Sequence, residues 1–526
     1  MKFSLPFAVV AALIAAGIHF AGAREPVAPF EGRDDPTACA SRLDALVFEK
    51  LNQMGIQPAN VCSDAVFVRR VYLDVIGALP TADEAAGFIG DPHPDKRAVL
   101  IDRLLERREF AEYWTMKWCD LLRVKAEFPV NLWPNAVQTY HEWISGAVRA
   151  NISYADFARQ LLMANGSNFL APQVNFYRSA GSKDPKVIAH TVAQTFMGER
   201  TEKWPKEKLD AMAVFFSQIS FKATGEWKEE IVYYNGLDDS AQRSRKATLP
   251  DGSTVDLPPR TDPRKVFTDW LVSSPHSPFA TNEVNRIWYW LMGRGIIQEP
   301  DDIRMDNPPS NPELLGWLAG ELISAHYDVK HIYRVILNSR AYQLSCIPQT
   351  DDPKAAAYFA YHPMRRVEAE VLIDALDQLT GTTEEYSSLV PEPFTWMPPE
   401  QKAVNLPDGS ITSSFLDLFG KPPRDTGLLS ERNDRPTSAQ RLHMLNSSHV
   451  QSKIANSGKL QTLYKSYPAP KDAIRQIYLT FLSRYPTDAE MAAIGEYAKG
   501  SEARGTQVWQ DLSWALLNSS EFCYRH

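Results

Sequence analysis

The chain has 526 residues, a net charge of −8 and an aromatic content of 11%. That length calls for two or more domains with substantial cores. A net negative, mixed-sign surface argues against a nucleic-acid partner, which requires basic stripes. Thirteen Trp and twenty Tyr must mostly fill cores, and a surface share could stack on sugar rings.

Residues 1–23 read as a secretory signal peptide. Lys2 gives the positive start, Phe7 to Ile18 the apolar stretch, and Ala21-Gly22-Ala23 the small-residue cleavage site. No Cys follows at once, which argues against a lipid anchor. No second long apolar run occurs, so no transmembrane segment is expected after cleavage. The protein is expected to be exported, to the periplasm or beyond the cell.

Export permits disulfides. Of the five Cys, Cys39 and Cys62 are the closest pair and the candidate bridge. A helix from Ser41 to Met54 would run roughly 20 Å away from Cys39 at 1.5 Å per residue. Gly55 to Cys62 would have to return almost fully extended. Cys119, in WTMKWCDLL, reads as a buried free thiol.

One segment occurs twice. RRVYLDVIGALPTADEAAGF (Arg69 to Phe88) matches RQIYLTFLSRYPTDAEMAAI (Arg475 to Ile494), with the same spacing from Tyr72 to Pro80 and from Tyr478 to Pro486. Thr81 with Glu84, and Thr487 with Glu490, have capping-box spacing. Each copy predicts a helix, a tight turn and a capped helix. Each is followed by a Leu-Leu helix ending in Glu-Phe, at Glu109-Phe110 and Glu521-Phe522. A recurring packing unit is the plain reading, and a duplicated binding unit the functional one.

Apolar spacings of three and four predict helices through most of the chain. The fold expectation is mainly α: two helical domains at 40–235 and 263–526, with a small β element and linker at 236–262. Glu230 to Tyr234 is β-prone, and the Asp-Gly turn in Leu249 to Leu257 signals a hairpin. Residues 382–421, rich in Pro, Gly and Ser, form a long loop with a second LPDGS, a further hairpin candidate.

Three clusters are candidate sites. Asp301, Asp302 and Asp306 offer oxygen ligands for Ca²⁺ or another divalent metal, or acid–base carboxylates for a glycan. They also suit a solvated loop that caps the next helix. His443 and His449 are metal candidates only if the turn at Asn446 to Ser448 folds them together. Arg286, Trp288 and Arg294 suit a sulfated or carboxylated sugar. The favoured alternative is that these Arg residues serve a buried ion pair between helices, with Glu368 or Glu370 as partner. Trp114, Trp118, Asp120 and Arg123 fall at helical spacings and read as core plus a buried salt bridge. Nucleophile-elbow, P-loop, dinucleotide and His-Glu-x-x-His templates are missing from the sequence.

The stretches RRVYLDVIGALPTADEAAGF and DKRAVLIDRLLERREFAEYWTMKWCDLLR resemble a domain of unknown function in secreted planctomycete and verrucomicrobial proteins. SPFATNEVNRIWYWLMGRGIIQEPDDIRMDNPPSNPELLGWL, HIYRVILNSRAYQLS, RRVEAEVLIDAL and LHMLNSSHV resemble its usual partner domain. Asn175, Tyr177 and Arg178, in VNFYR, match the same pattern and are candidate cleft residues. The resemblance implies a setting near secreted sulfatases and glycan-degrading enzymes, but no reaction. Many relatives carry a cytochrome c domain, and often a Cys-x-x-Cys-His segment between the counterparts of TFMGER and MAVFFSQI. Here TEKWPKEKLDA stands between them, without Cys or His, so no covalent c-type haem is expected.

Two functions follow as expectations. One is a non-haem binding or accessory protein for a glycan or exported partner. The other is a glycan-acting hydrolase or metal enzyme using carboxylates near Asp301. A cleft joining those acids to Arg286 or His443 would favour the second.

Overall fold

A computed structural model describes residues 25–38, 41–390, 395–467, 469–500 and 505–526. The signal segment and Cys39 lie outside the described residues. The chain is mainly α-helical, with three small antiparallel sheets among the described residues. No helix among them is long and apolar enough to cross a membrane.

Both copies of the repeated segment form the expected unit. Helix Asp64–Ile76 ends at Gly77 in the left-handed conformation, and Thr81 and Glu84 close a capping box on helix Ala82–Gly90. Helix Pro470–Leu482 ends at Ser483, also left-handed, and Thr487 and Glu490 exchange the same two bonds at 2.7 and 3.2 Å. An arginine staples each unit. Arg107 joins Glu84 to Glu109, both at 2.8 Å, and lies over the Tyr72 ring. Arg484 joins Glu490 at 2.7 Å to Glu521 at 2.6 Å and lies over the Tyr478 ring. The acids and tyrosines are equivalent positions, but the arginines come from different points of the repeat. The same charge clamp is thus built twice by different routes, as a recurring packing unit requires. Arg69 ties the two copies together, donating to Phe481 O at 2.9 Å and Phe522 O at 3.1 Å.

The β-prone stretch Glu230–Tyr234 is the centre of a sheet, flanked by Gly166–Ser167 and Ile219–Ala223. The first LPDGS turns the hairpin Arg245–Thr248 with Thr254–Leu257. The second does not make a hairpin. Its Asp408 carboxylate accepts from Ala126 N at 2.9 Å and Ser410 N at 2.8 Å, and Gly409 N donates to Val124 O at 2.9 Å. In the first copy the equivalent Gly252 N bonds back to Leu249 O within the turn; here that glycine amide goes to another part of the chain, so the loop docks inward.

The two halves pack through an aromatic seam. Trp114 stands 5.2 Å from Trp290 and 4.5 Å from Tyr333, ring centre to ring centre. Tyr524–Arg525 near the chain end pairs antiparallel with Arg365–Arg366, which carries Arg525 into the interior.

Candidate functional site

Beside this seam lies a buried network of charge. Asp74, on helix Asp64–Ile76, is almost fully buried. Its Oδ1 accepts from Arg525 at 2.7 Å and Arg365 at 2.8 Å, and its Oδ2 from the Tyr342 hydroxyl at 2.8 Å. Glu368 precedes helix Ala369–Thr380 and accepts from Lys117 Nζ at 2.7 Å, the Tyr113 hydroxyl at 3.1 Å and Arg525 Nη2. Asp120 holds Arg424 at 2.9 Å and Arg432 at 2.7 Å, while Arg432 also grips Glu370 through two bonds. Removing one member of such a network leaves an uncompensated buried charge, which costs about 3–5 kcal/mol.

The network walls a cavity of about 140 Å³. Three cations, Lys117, Arg365 and Arg432, face three carboxyls, Asp120, Glu368 and Asp434; Tyr289 and Trp290 complete the polar and aromatic wall. Not all of these groups are satisfied. Among the described residues Lys117 makes one hydrogen bond, to Glu368, although an ammonium carries three donors. Asp434 Oδ1 and Arg365 Nε are buried without hydrogen-bond partners among the described residues. Burial pushes the Asp434 carboxyl above its ordinary range, with the Glu368 charge second, against Arg432 and Lys117. Burial also acts to raise Glu368, but Arg525 and then Lys117 outweigh it and hold that group well below the usual carboxylate range. The Tyr289 hydroxyl is pushed up to about 12, first by burial and then by Asp434. Two neighbouring carboxyls with opposite shifts are a recognised mark of functional sites. A carboxyl oxygen short of partners beside uncommitted N–H donors offers a ligand both acceptors and donors.

A Pro- and Gly-containing segment roofs the cavity through Pro422, Leu428 and Leu429. Asp301 holds that roof: its Oδ2 accepts from Leu429 N at 3.0 Å, and its Oδ1 pairs with Arg200 at 2.8 Å. Asp302 pairs with Lys203 at 2.9 Å and Arg304 at 3.2 Å, and Asp306 with Arg304 alone. Asp301 is committed to Arg200, Asp302 and Asp306 share Arg304, and none of the three pairs with Arg286 or His443. Among the described residues no group of three or more His, Cys, Asp or Glu side chains is placed to hold a metal ion.

The turn at Ser447 does fold the two histidines together. His443 Nε2 lies 3.4 Å from His449 Nδ1, and His449 Nε2 lies 2.8 Å from Glu384. Both ring nitrogens of His449 are therefore engaged. Burial lowers the His443 pKa, with His449 second.

Arg286 is buried and pairs with Glu283 at 3.3 Å, one helical turn back, and donates to Thr195 O at 3.0 Å. The expected partners Glu368 and Glu370 serve Lys117, Arg525 and Arg432 instead. Trp288 is fully buried against Phe359, and its neighbour Trp290 is the one at the cavity. Arg294 follows the left-handed cap Gly293 and is half-buried. Asn175 and Tyr177 are internal: Asn175 bonds to Asn168 O and Pro172 O, and Tyr177 to Leu162 O. Arg178 pairs with Glu230 at 3.3 Å, at the edge of an open depression around Trp227. Asp120 finds Arg424 and Arg432, and Arg123 turns instead to Thr191. Cys62 is a buried thiol, as is Cys119; its candidate partner Cys39 is outside the described residues.

Sequence reasoning passed over Lys117, Arg365, Glu368, Arg432 and Asp434 as a set. One signal was available: Lys117 and Asp120 interrupt an otherwise aromatic and apolar helix face, Tyr113 to Leu121.

Two family models match the chain. Residues 42–220 match PSCyt2, a protein of unknown function (DUF1549), and residues 263–498 match PSD1, a protein of unknown function (DUF1553). The cavity draws its wall from both matched stretches. No curated protein and no solved structure matches the chain.

Proposed function

We propose, from the premise that this chain belongs to the paired PSCyt2 and PSD1 families, that it is an exported binding protein whose central cavity holds a single sugar unit. The observation that carries this reading is the cavity wall itself. Equal numbers of cations and carboxyls give it no strong net charge, so it suits a neutral or weakly charged ligand. The spare donors of Lys117, the unpartnered oxygen of Asp434 and the Trp290 ring together match a hydroxylated ring, which needs donors, acceptors and an apolar face. At about 140 Å³ the cavity is close in volume to one that encloses a single six-membered ring, so it takes one ring of a ligand and not a chain. Export rests on the amino-terminal sequence, and a polysaccharide-processing setting on the family resemblance.

Titration with glucose, galactose, N-acetylglucosamine and glucuronate, followed by tryptophan fluorescence, tests the reading. Saturable binding of one of these sugars is expected, weakened about tenfold in Lys117→Met and in Asp434→Asn, as loss of one charge-assisted bond requires. Failure of all four sugars to bind, or binding indifferent to both substitutions, refutes it.

A second reading has one observation in its favour, the raised pKa of Asp434 beside an ionised Glu368. Glycosidases draw their acid and their base or nucleophile from two carboxyls whose surroundings shift them in opposite directions in this way. Release of reducing sugar from a polysaccharide, abolished by Asp434→Asn, would select hydrolysis over binding.

A further inference from the structure

A second cavity, of about 290 Å³, lies between helix Ser438–Asn446 and the carboxy-terminal segment. Its polar wall is Arg366, Gln440, Arg441, Asn518, Ser519 and Ser520, and no carboxylate lines it among the described residues. That one-sided composition sets it apart from the balanced central cavity.

Arg366 is held in place by its backbone pairing with Tyr524. Only 5% of it is exposed. Its Nη2 donates to Phe419 O at 2.5 Å and Asn433 O at 2.8 Å. Its Nε and Nη1 are buried with no hydrogen-bond partner among the described residues. Burial pulls the Arg366 pKa down, and Asp434 and Glu368 oppose it. Both of those acids line the central cavity, and neither lines this one. Arg441 is exposed and makes no ion pair among the described residues. A buried guanidinium short of acceptors carries a desolvation cost that an anion would relieve. The cavity also holds Cys523, whose thiol burial pushes up to about 11 and which donates to Leu517 O at 3.3 Å. A protonated, hydrogen-bonded thiol is a poor nucleophile, so Cys523 offers the cavity no covalent chemistry.

We propose that this cavity is an oxyanion site, in which Arg366 and Arg441 bind a carboxylate, sulfate or phosphate group. The planar fork of arginine suits such groups, with Ser520 and Asn518 as further polar contacts. The site is independent of the sugar reading for the central cavity.

Calorimetric titration with inorganic sulfate, inorganic phosphate and glucuronate tests the proposal and separates a free anion from an acidic sugar. Saturable binding of at least one probe is expected. It should weaken about tenfold or more in Arg441→Glu, which sits at the surface and leaves the fold intact, and in Arg366→Lys, while persisting in Lys117→Met. Absence of binding for all three probes overturns the proposal. So does binding that survives Arg441→Glu but disappears in Lys117→Met, since the ligand would then occupy the central cavity.

Discussion

Gly77 ends the first repeat helix with φ +59°, and a Cβ built there would lie 2.5 Å from Cδ2 and 2.9 Å from Cγ of Tyr113. Gly77→Ala therefore carries two penalties. The left-handed backbone costs an alanine about 1–2 kcal/mol. Forcing the Tyr113 ring aside adds about 1–3 kcal/mol of overpacking. The sum is about 2–5 kcal/mol. Gly55 supplies the control, because its φ is +67° and nothing lies within 4 Å of its Cβ position. Gly55→Ala should cost only the backbone part, about 1–2 kcal/mol. The difference between the two variants isolates the contact with Tyr113. That ring matters beyond stability, since its hydroxyl joins Glu368 at 3.1 Å and Arg525 at 3.1 Å. Urea denaturation followed by tryptophan fluorescence gives both free energies. If Gly77→Ala is no more destabilising than Gly55→Ala, the close approach of helix end to tyrosine is wrong, and with it the coupling of repeat to cavity.

Ser483 occupies the equivalent left-handed position in the second copy, with its Oγ buried and unpartnered among the described residues. Ser483→Gly should accordingly stabilise by about 1 kcal/mol or less in the same denaturation assay, backbone relief being offset by unfolded-chain entropy. The two arginine staples should differ. Arg484→Ala breaks a clamp whose arginine side chain is 6% exposed, at a cost of about 3 kcal/mol. Arg107→Ala breaks one at 30%, for about 1 kcal/mol. Equal losses in denaturation would count against burial as the deciding factor. Asp301→Ala removes the acceptor for Leu429 N and should speed limited proteolysis within residues 421–436, with an unchanged cleavage rate as the refuting outcome. Glu283 is fully buried and pushed up to about 7 by burial, from an ordinary 4.5. A raised carboxyl binds its proton more tightly in the folded state, so stability is highest below pH 4.5 and declines as pH rises to about 7, by about 3 kcal/mol in total. The pH profile of Glu283→Gln should lose that decline; a profile parallel to the parent's would show that Glu283 does not titrate in this window.

The sequence by itself determined the units of this protein. The duplicated motif, the capping pairs Thr81–Glu84 and Thr487–Glu490, and the first Asp-Gly turn are local devices, set by residues within one helical turn or one hairpin of each other. They folded as their spacing predicted. The mainly α class and the pair of families were legible for the same reason. The site was not, because its geometry is long-range. Lys117, Arg365, Arg432 and Asp434 meet only after the two halves have packed and the Tyr524–Arg525 strand has found Arg365–Arg366. Two similar LPDGS segments went opposite ways, one into a hairpin and one into a buried dock on Val124 to Ala126. Their local turn propensity was alike, and only the partner offered by the rest of the chain differed. Arg286 and Asp120 tell the same story: a charge in a sequence declares that it needs a partner, and only the tertiary structure decides whether that partner is one turn away, as Glu283 is, or far along the chain, as Arg424 and Arg432 are.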